Sequence, residues 1–153
     1  MRTSQRTDRP AARPGDLSTW QKFSRKMCRK CSAVCCSLPV EVTAHDLVRM
    51  RLMAECELDG DLRAVARRLA RLRLVEHYHH RTGLFTLARM ASGDCCFLDP
   101  ASRLCTIYQL RPDTCRNHPQ VGPRPGYCAF SPQKAAAALP SPSSAARQPL
   151  EPE

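Results

Sequence analysis

The chain has 153 residues, and 24 Lys and Arg against 14 Asp and Glu give it a formal charge of +10. Aromatic residues make up only 5% of it, so one domain is expected, with a core small for its length that needs staples. No run approaches the roughly 18 apolar residues of a membrane span, and no charged start followed by an apolar stretch of about 7–15 residues marks a secretory signal.

Residues 1–19 carry Arg2, Arg6, Arg9 and Arg13 with Pro10 and Pro14 and offer little to bury. Residues 132–153 are rich in proline, serine and alanine. Neither segment can offset the entropy of ordering it, so both are expected to be disordered tails flanking a domain over 20–131.

Within that domain, Ser18-Thr19-Trp20-Gln21 reads as a capping box, with Trp20, Phe23 and Met27 following at helical spacing. The helix it predicts would bury Trp20 and Phe23 and deliver Cys28 and Cys31 to one side. Leu38, Val40 and Val42 alternate as in a strand. Thr43 and Asp46 signal a helix N-terminus, with Leu47, Met50 and Met53 or Ala54 on the following apolar face. After Asp59-Gly60, Asp61 is placed to cap the longest helix, over 62–78. Leu62, Val65, Leu69, Leu72 and Val75 form its apolar stripe, and Arg63, Arg67, Arg68, Arg71 and Arg73 take much of the rest. His77-Tyr78-His79-His80 then falls at the helix C-terminus before Gly83, where imidazoles suit the dipole.

Residues 84–90 read as a strand. Asp99-Pro100-Ala101-Ser102 is a turn signature, so a hairpin is expected between 96–98 and 104–108, with Cys96 or Cys95 opposite Cys105. Pro112 can open a helical turn through Cys115 and pushes Arg111 to an extended conformation. Pro119, Pro123 and Pro125 stiffen the approach to Cys128. The fold class is α+β: a small metal-stapled domain with a few helices and a short β-hairpin.

The staples are legible in the cysteines. Nine of the ten lie in two blocks, Cys28-x2-Cys31-x3-Cys35-Cys36 and Cys95-Cys96-x8-Cys105-x9-Cys115-x12-Cys128, and only Cys56 stands apart. Thiols this dense in a chain without a secretory signal point to a soft metal ion and a cytoplasmic location, where thiols stay reduced. Adjacent cysteines in an extended segment face opposite ways, so Cys35 and Cys36, or Cys95 and Cys96, would serve different sites or leave one buried. Eight thiolates around two divalent ions would lower the net charge to about +6, so part of the basic excess balances the sites.

The motifs Cys28-x2-Cys31-x3-Cys35-Cys36, Cys95-x-Phe97-Leu98-Asp99, Cys105-Thr106-Ile107-Tyr108 and Arg111-Pro112-x2-Cys115-Arg116-x2-Pro119 resemble the YkgJ-type cysteine-cluster family of zinc- or iron-chelating domains. The resemblance spans residues 26–128. It implies metal ligands at Cys28, Cys31, Cys35, Cys36, Cys95, Cys105, Cys115 and Cys128. Two departures stand out. Ser32-Ala33-Val34 is one residue longer than the family's spacing and lacks its glycine, and Cys96 stands where proline is common. Cys96 and His118 are possible additional or alternate ligands, the His77 to His80 group offers further alternates although imidazoles near a helix end need no ligand role, and Arg111, Arg116 and Tyr108 are placed to support the sulfurs from behind.

The function expected is chelation of zinc, an iron–sulfur cluster such as [4Fe–4S], or both, in metal handling or redox. The alternative is a zinc-stapled module that binds nucleic acid or protein through the arginine face of helix 62–78, although aromatics for base stacking are scarce. A third reading is that the cluster supports an enzyme, a thiol oxidoreductase or a methyl-transfer accessory; no P-loop, H-E-x-x-H or G-x-G-x-x-G accompanies the cysteines, so such activity would have to come from the metal or from a partner. Metal ions are the expected partners, and no membrane is implied.

Overall fold

The computed structural model describes residues 11–133, so most of both expected tails, 1–10 and 134–153, lies outside the described residues. The helices are α1 (Arg25–Cys28), α2 (Ala44–Arg49), α3 (Leu62–Arg71) and α4 (Asp113–Arg116). The strands are β1 (Gln21–Lys22), β2 (Glu41–Val42), β3 (Val75–His79), β4 (Leu84–Leu87) and β5 (Tyr127–Cys128). β1 and β5 pair antiparallel, and a three-stranded antiparallel sheet runs in the order β2-β4-β3. The class is α+β, as expected.

α2 starts where the sequence places it. The Thr43 hydroxyl accepts from the Asp46 N–H at 3.1 Å while the Asp46 carboxylate accepts from the Thr43 N–H at 3.0 Å, a reciprocal capping box. Asp61 likewise caps α3 by accepting from the Arg63 N–H at 2.9 Å.

α3 is shorter than the predicted 62–78. Arg73 takes a left-handed conformation (φ 56°), its N–H donates to the Ala70 carbonyl at 3.0 Å, and the Leu74 N–H donates to the Leu69 carbonyl at 3.0 Å. This is a Schellman ending with arginine where glycine is usual. α2 ends the same way through Arg51 (φ 60°) and Leu52. The stripe is therefore divided: Val65 and Leu69 are buried on α3, Leu72 is left exposed, and Val75 is buried on β3. His77 and His79 sit on that strand, not at a helix end.

The main core fills the space between α2, α3 and one face of the sheet, with Phe85, Leu47, Leu69 and Val42 at its centre. A second, smaller core consists of Ala12, Trp20 and Ala129, with Val34, Leu38 and Tyr127 against it. Trp20 is buried as expected, but the helix predicted to begin at Ser18 does not form. Asp16 caps a single turn at Leu17–Thr19 and β1 follows, so Trp20 belongs to no helix. Residues 11–19 are held in place: the Ala12 N–H donates to the Phe130 carbonyl at 3.0 Å, and the Trp20 indole N–H donates to the Arg13 carbonyl at 3.2 Å.

The hairpin expected after Cys96 is a compact turn without regular strands. Its bridge pairs Leu98, not Cys95 or Cys96, with Cys105. The cause is Arg103, whose left-handed backbone (φ 57°) lengthens the reversal and whose N–H donates to the Asp99 carbonyl at 2.9 Å.

Candidate metal centre

Cys28 ends α1, and the Cys31 N–H donates to the Cys28 carbonyl at 3.4 Å, which keeps the first pair one turn apart. A bridge between Cys31 and Pro132 draws residues 28–31 to the end of the domain, while β1 pairs Gln21 with Cys128. Cys28, Cys31 and Cys128 thus share one side of the domain. Burial pushes the Cys128 thiol up to about 11, and thiolates at Cys31 and Cys28 add to the rise. Burial also raises Cys28, with Cys31 contributing in the same direction.

Cys35 and Cys36 lie in a single helical turn, Val34–Ser37, not in an extended segment. Ala33 immediately before them adopts a left-handed conformation (φ 58°, ψ 40°). That conformation suits glycine, so the residue missing by type from the motif is present by backbone shape. The Cys36 thiol donates to the Cys35 sulfur, and this bond raises Cys36, with burial and the charges of Cys35 and Cys95 adding to it.

A second group of thiols gathers against the main core. The Cys95 N–H donates to the Cys36 carbonyl at 2.7 Å, and Cys95 and Cys115 both pack on that core. Burial pushes Cys115 up to about 12, and thiolates at Cys36, Cys95 and Cys105 each push it further. Cys105 is raised by burial and by Cys36 and Cys95. Cys95 is the exception, lowered to about 7 because the Cys96 thiol donates to its sulfur. Cys96 itself is raised by that bond and also points at the Leu74 carbonyl, 3.9 Å away. Cys56 is exposed in the turn Glu55–Glu57, outside both groups. All ten cysteines are free thiols.

Two guanidinium groups serve both thiol groups. Arg111 lowers Cys28 in the first and Cys105 and Cys115 in the second. It is held over the Tyr108 ring at 3.8 Å, and its Nε donates to the Tyr108 carbonyl at 3.0 Å. Arg103 feels Cys36 and Cys31. It is fixed by two hydrogen bonds to Asp94, at 2.7 and 3.1 Å, and one to the Ser32 carbonyl at 3.0 Å. Sequence reasoning missed Arg103, because neither its backbone conformation nor its reach to Ser32 leaves a local signal.

Arg116 donates to the Arg111 and Gln109 carbonyls at 2.7 and 2.6 Å and so braces the 109–116 turn. Tyr108 is 58% exposed and serves as the plate beneath Arg111. His118 stands by Trp20, with ring centroids 6.5 Å apart, and its Nε2 is buried without a hydrogen-bond partner. Burial lowers its pKa, which favours the neutral ring.

Among the described residues no three His, Cys, Asp or Glu side chains are drawn tightly enough together to hold an ion as they stand. The donor chemistry nonetheless fits one. Clustered thiols that raise one another's pKa hold protons until a cation offsets the repulsion, and the same crowding then favours a soft divalent ion or an iron–sulfur core. No helix among the described residues is long and apolar enough to cross a membrane.

Comparison with curated proteins and with solved structures finds no match. A family model, CxxCxxCC, described as "Putative zinc- or iron-chelating domain", matches residues 27–139 and so takes in both cysteine blocks. The chain belongs to this cysteine-cluster family of metal-chelating domains.

Proposed function

We propose that the chain chelates metal through eight thiolates in two neighbouring four-sulfur centres. One is built from Cys28, Cys31, Cys35 and Cys128, the other from Cys36, Cys95, Cys105 and Cys115. The observation that carries this division is geometric: β1 pairs Gln21 with Cys128 and a bridge ties Cys31 to Pro132, whereas the Cys95 N–H donates to the Cys36 carbonyl and Cys95 and Cys115 pack on the main core; the mutual shifts of the thiols run the same way. Cys35 and Cys36 are the joint, adjacent in one turn with a sulfur-to-sulfur hydrogen bond.

Centres closed by four sulfurs leave no position for a substrate, which favours metal handling or electron transfer over turnover. Zinc and iron–sulfur clusters both suit the donor set. When bound, either would supply the positive charge that offsets the crowded thiolates, with Arg103 and Arg111 carrying part of that task from outside. Chelation by reduced thiols would favour a cytoplasmic location, where thiols stay reduced. On the arginine face of α3, Arg68 is paired with Glu57 at 2.5 Å and Arg67 with Asp61 at 3.6 Å, so part of its charge is already met within the chain, which favours the metal-chelating reading over nucleic-acid binding.

Purification without oxygen, followed by metal analysis and a visible spectrum, tests this. Two centres per chain are expected: zinc if the protein is colourless, iron with a broad visible band if it holds clusters. Cys115→Ser and Cys28→Ser should each remove one centre and leave the other, and Cys56→Ser should remove neither. A folded protein free of zinc and iron would overturn the proposal, as would loss of both centres in a folded single variant.

A further inference from the structure

The outer face of the three-stranded sheet carries a second donor set that uses no sulfur. Regular pairing onward from Val75 opposite Leu87 would put Glu76 opposite Thr86 and His77 opposite Phe85, on the core face. A register shift between Val75 and His77 changes this, so that His77 lies opposite Thr86 and Tyr78 opposite Phe85. The extra residue turns Tyr78 inward onto the Phe85 ring, at 4.5 Å, and turns His77 and His79 outward together.

On that outer face, Glu41 of β2, Thr86 of β4 and His77 of β3 form one row across the sheet. The His77 and His79 rings meet edge to face with centroids 4.3 Å apart. His79 Nε2 lies 3.7 Å from a Glu41 carboxylate oxygen and 3.4 Å from the Thr86 hydroxyl. Two imidazoles at i and i+2 on a strand are held by backbone geometry. Glu41 and His79 are 55% and 42% exposed, so their side chains are free to turn toward a shared ion.

The geometry points to a solvent-facing site for a divalent late transition ion, with His77 and His79 as nitrogen ligands and Glu41 as the oxygen ligand. Two imidazoles and a carboxylate suit zinc, nickel or copper and leave further positions to water, unlike a centre closed by sulfur. The site is separate from the thiolate centres and does not depend on how they are divided. It borders them through β2, where the Glu41 carbonyl accepts from the Thr114 hydroxyl at 3.0 Å, one residue before Cys115.

The experiment titrates the full chain, isolated with its metal content intact, with Ni2+ at neutral pH while the imidazole resonances are followed by NMR. The chain has five histidines. Paramagnetic broadening should reach His77 and His79 first, before His45, His80 and His118. His77→Gln and His79→Gln should each weaken Ni2+ binding about tenfold or more, Glu41→Gln by less, and His80→Gln not at all. These side chains project from the sheet toward solvent, so the variants should fold, and the wild-type titration alone is decisive if one does not. Equal broadening of His80 and the pair, or a His80→Gln effect as large as that of His77→Gln, would overturn the site.

Discussion

Asp46 is the one buried charged residue of the described chain, 4% exposed, and it ties a core helix to the helix that carries Cys115. One carboxylate oxygen accepts from the Thr43 N–H at 3.0 Å and the Thr43 hydroxyl at 2.9 Å. The other accepts from Arg49 at 3.0 Å and from the N–H of Asp113, the first residue of α4, at 3.0 Å. Asp46→Asn keeps the shape but replaces one acceptor oxygen with a donor. Two of the four bonds fail and the rest lose their charge assistance, a cost of about 2–4 kcal/mol. Denaturant unfolding at neutral pH should show that loss, and metal held at the proposed Cys115 centre should pass to a chelator sooner than in wild type. The pH dependence gives a second check. Burial alone would raise the Asp46 carboxyl, but the Thr43 and Asp113 N–H groups, the Thr43 hydroxyl and Arg49 outweigh it, so the net shift is downward. A depressed carboxylate stabilises the fold above its unfolded pKa, about 3.9, and that contribution fades as pH falls through the folded value. The gap between wild type and Asp46→Asn should therefore close in acid. A neutral-pH difference under about 0.5 kcal/mol would refute the reasoning.

Phe85→Ala, at a fully buried position beneath Tyr78, should cost about 3–5 kcal/mol in denaturant unfolding. Ala33→Gly should stabilise by roughly 0.5–1 kcal/mol, because the strain of a left-handed alanine exceeds the added freedom of glycine in the unfolded chain; thermal melts with metal bound check it. Arg103→Ala leaves the Asp94 carboxylate, 13% exposed, without its cation and with the Ser92 hydroxyl as its remaining side-chain donor, and removes a cation from beside both thiol groups. It should lower stability by about 2 kcal/mol and weaken metal retention against a competing chelator. Stripping the metal should abolish hydrogen-exchange protection first at Ala12 and Phe130, around the small core, and later at Leu87 and Leu69, with simultaneous loss counting against a role for the thiol groups as staples.

What the sequence showed and what it hid follow one physical line. Short-range chemistry was legible: Thr43 with Asp46, Asp61 before α3, the apolar alternation of Val40 and Val42, and the spacing of the cysteines. Left-handed backbone at residues other than glycine was not. Arg51, Arg73, Ala33 and Arg103 all adopt it. Arg51 ends α2 (Ala44–Arg49) before Met53, expected on its apolar face. Arg73 ends α3 early and turns two expected helix-end histidines into strand residues. Arg103 shifts the turn register so that Leu98 faces Cys105. Asp46 and Arg103 each act across more than 60 residues, on Asp113 and on Ser32. Pairings that distant leave no periodic trace.

The two thiol groups and the two hydrophobic cores correspond. Cys95 and Cys115 rest on the larger core, while Cys128 adjoins Ala129 and Cys35 adjoins Val34 at the smaller. A core of three buried residues releases far too little apolar burial to offset the ordering of the strands and turns around it. That lobe must draw its stability from links to other parts of the chain, and the thiols of Cys28, Cys31 and Cys128 are its densest set of potential links. The larger core, with Phe85, Leu47 and Leu69 fully buried, has less need of them. Metal bound at the first group would therefore act mainly on folding, and metal bound at the second mainly on the chemistry of an already ordered surface. The Val34–Ser37 turn, which holds Cys35 and Cys36 side by side, is where a change at one would be felt by the other.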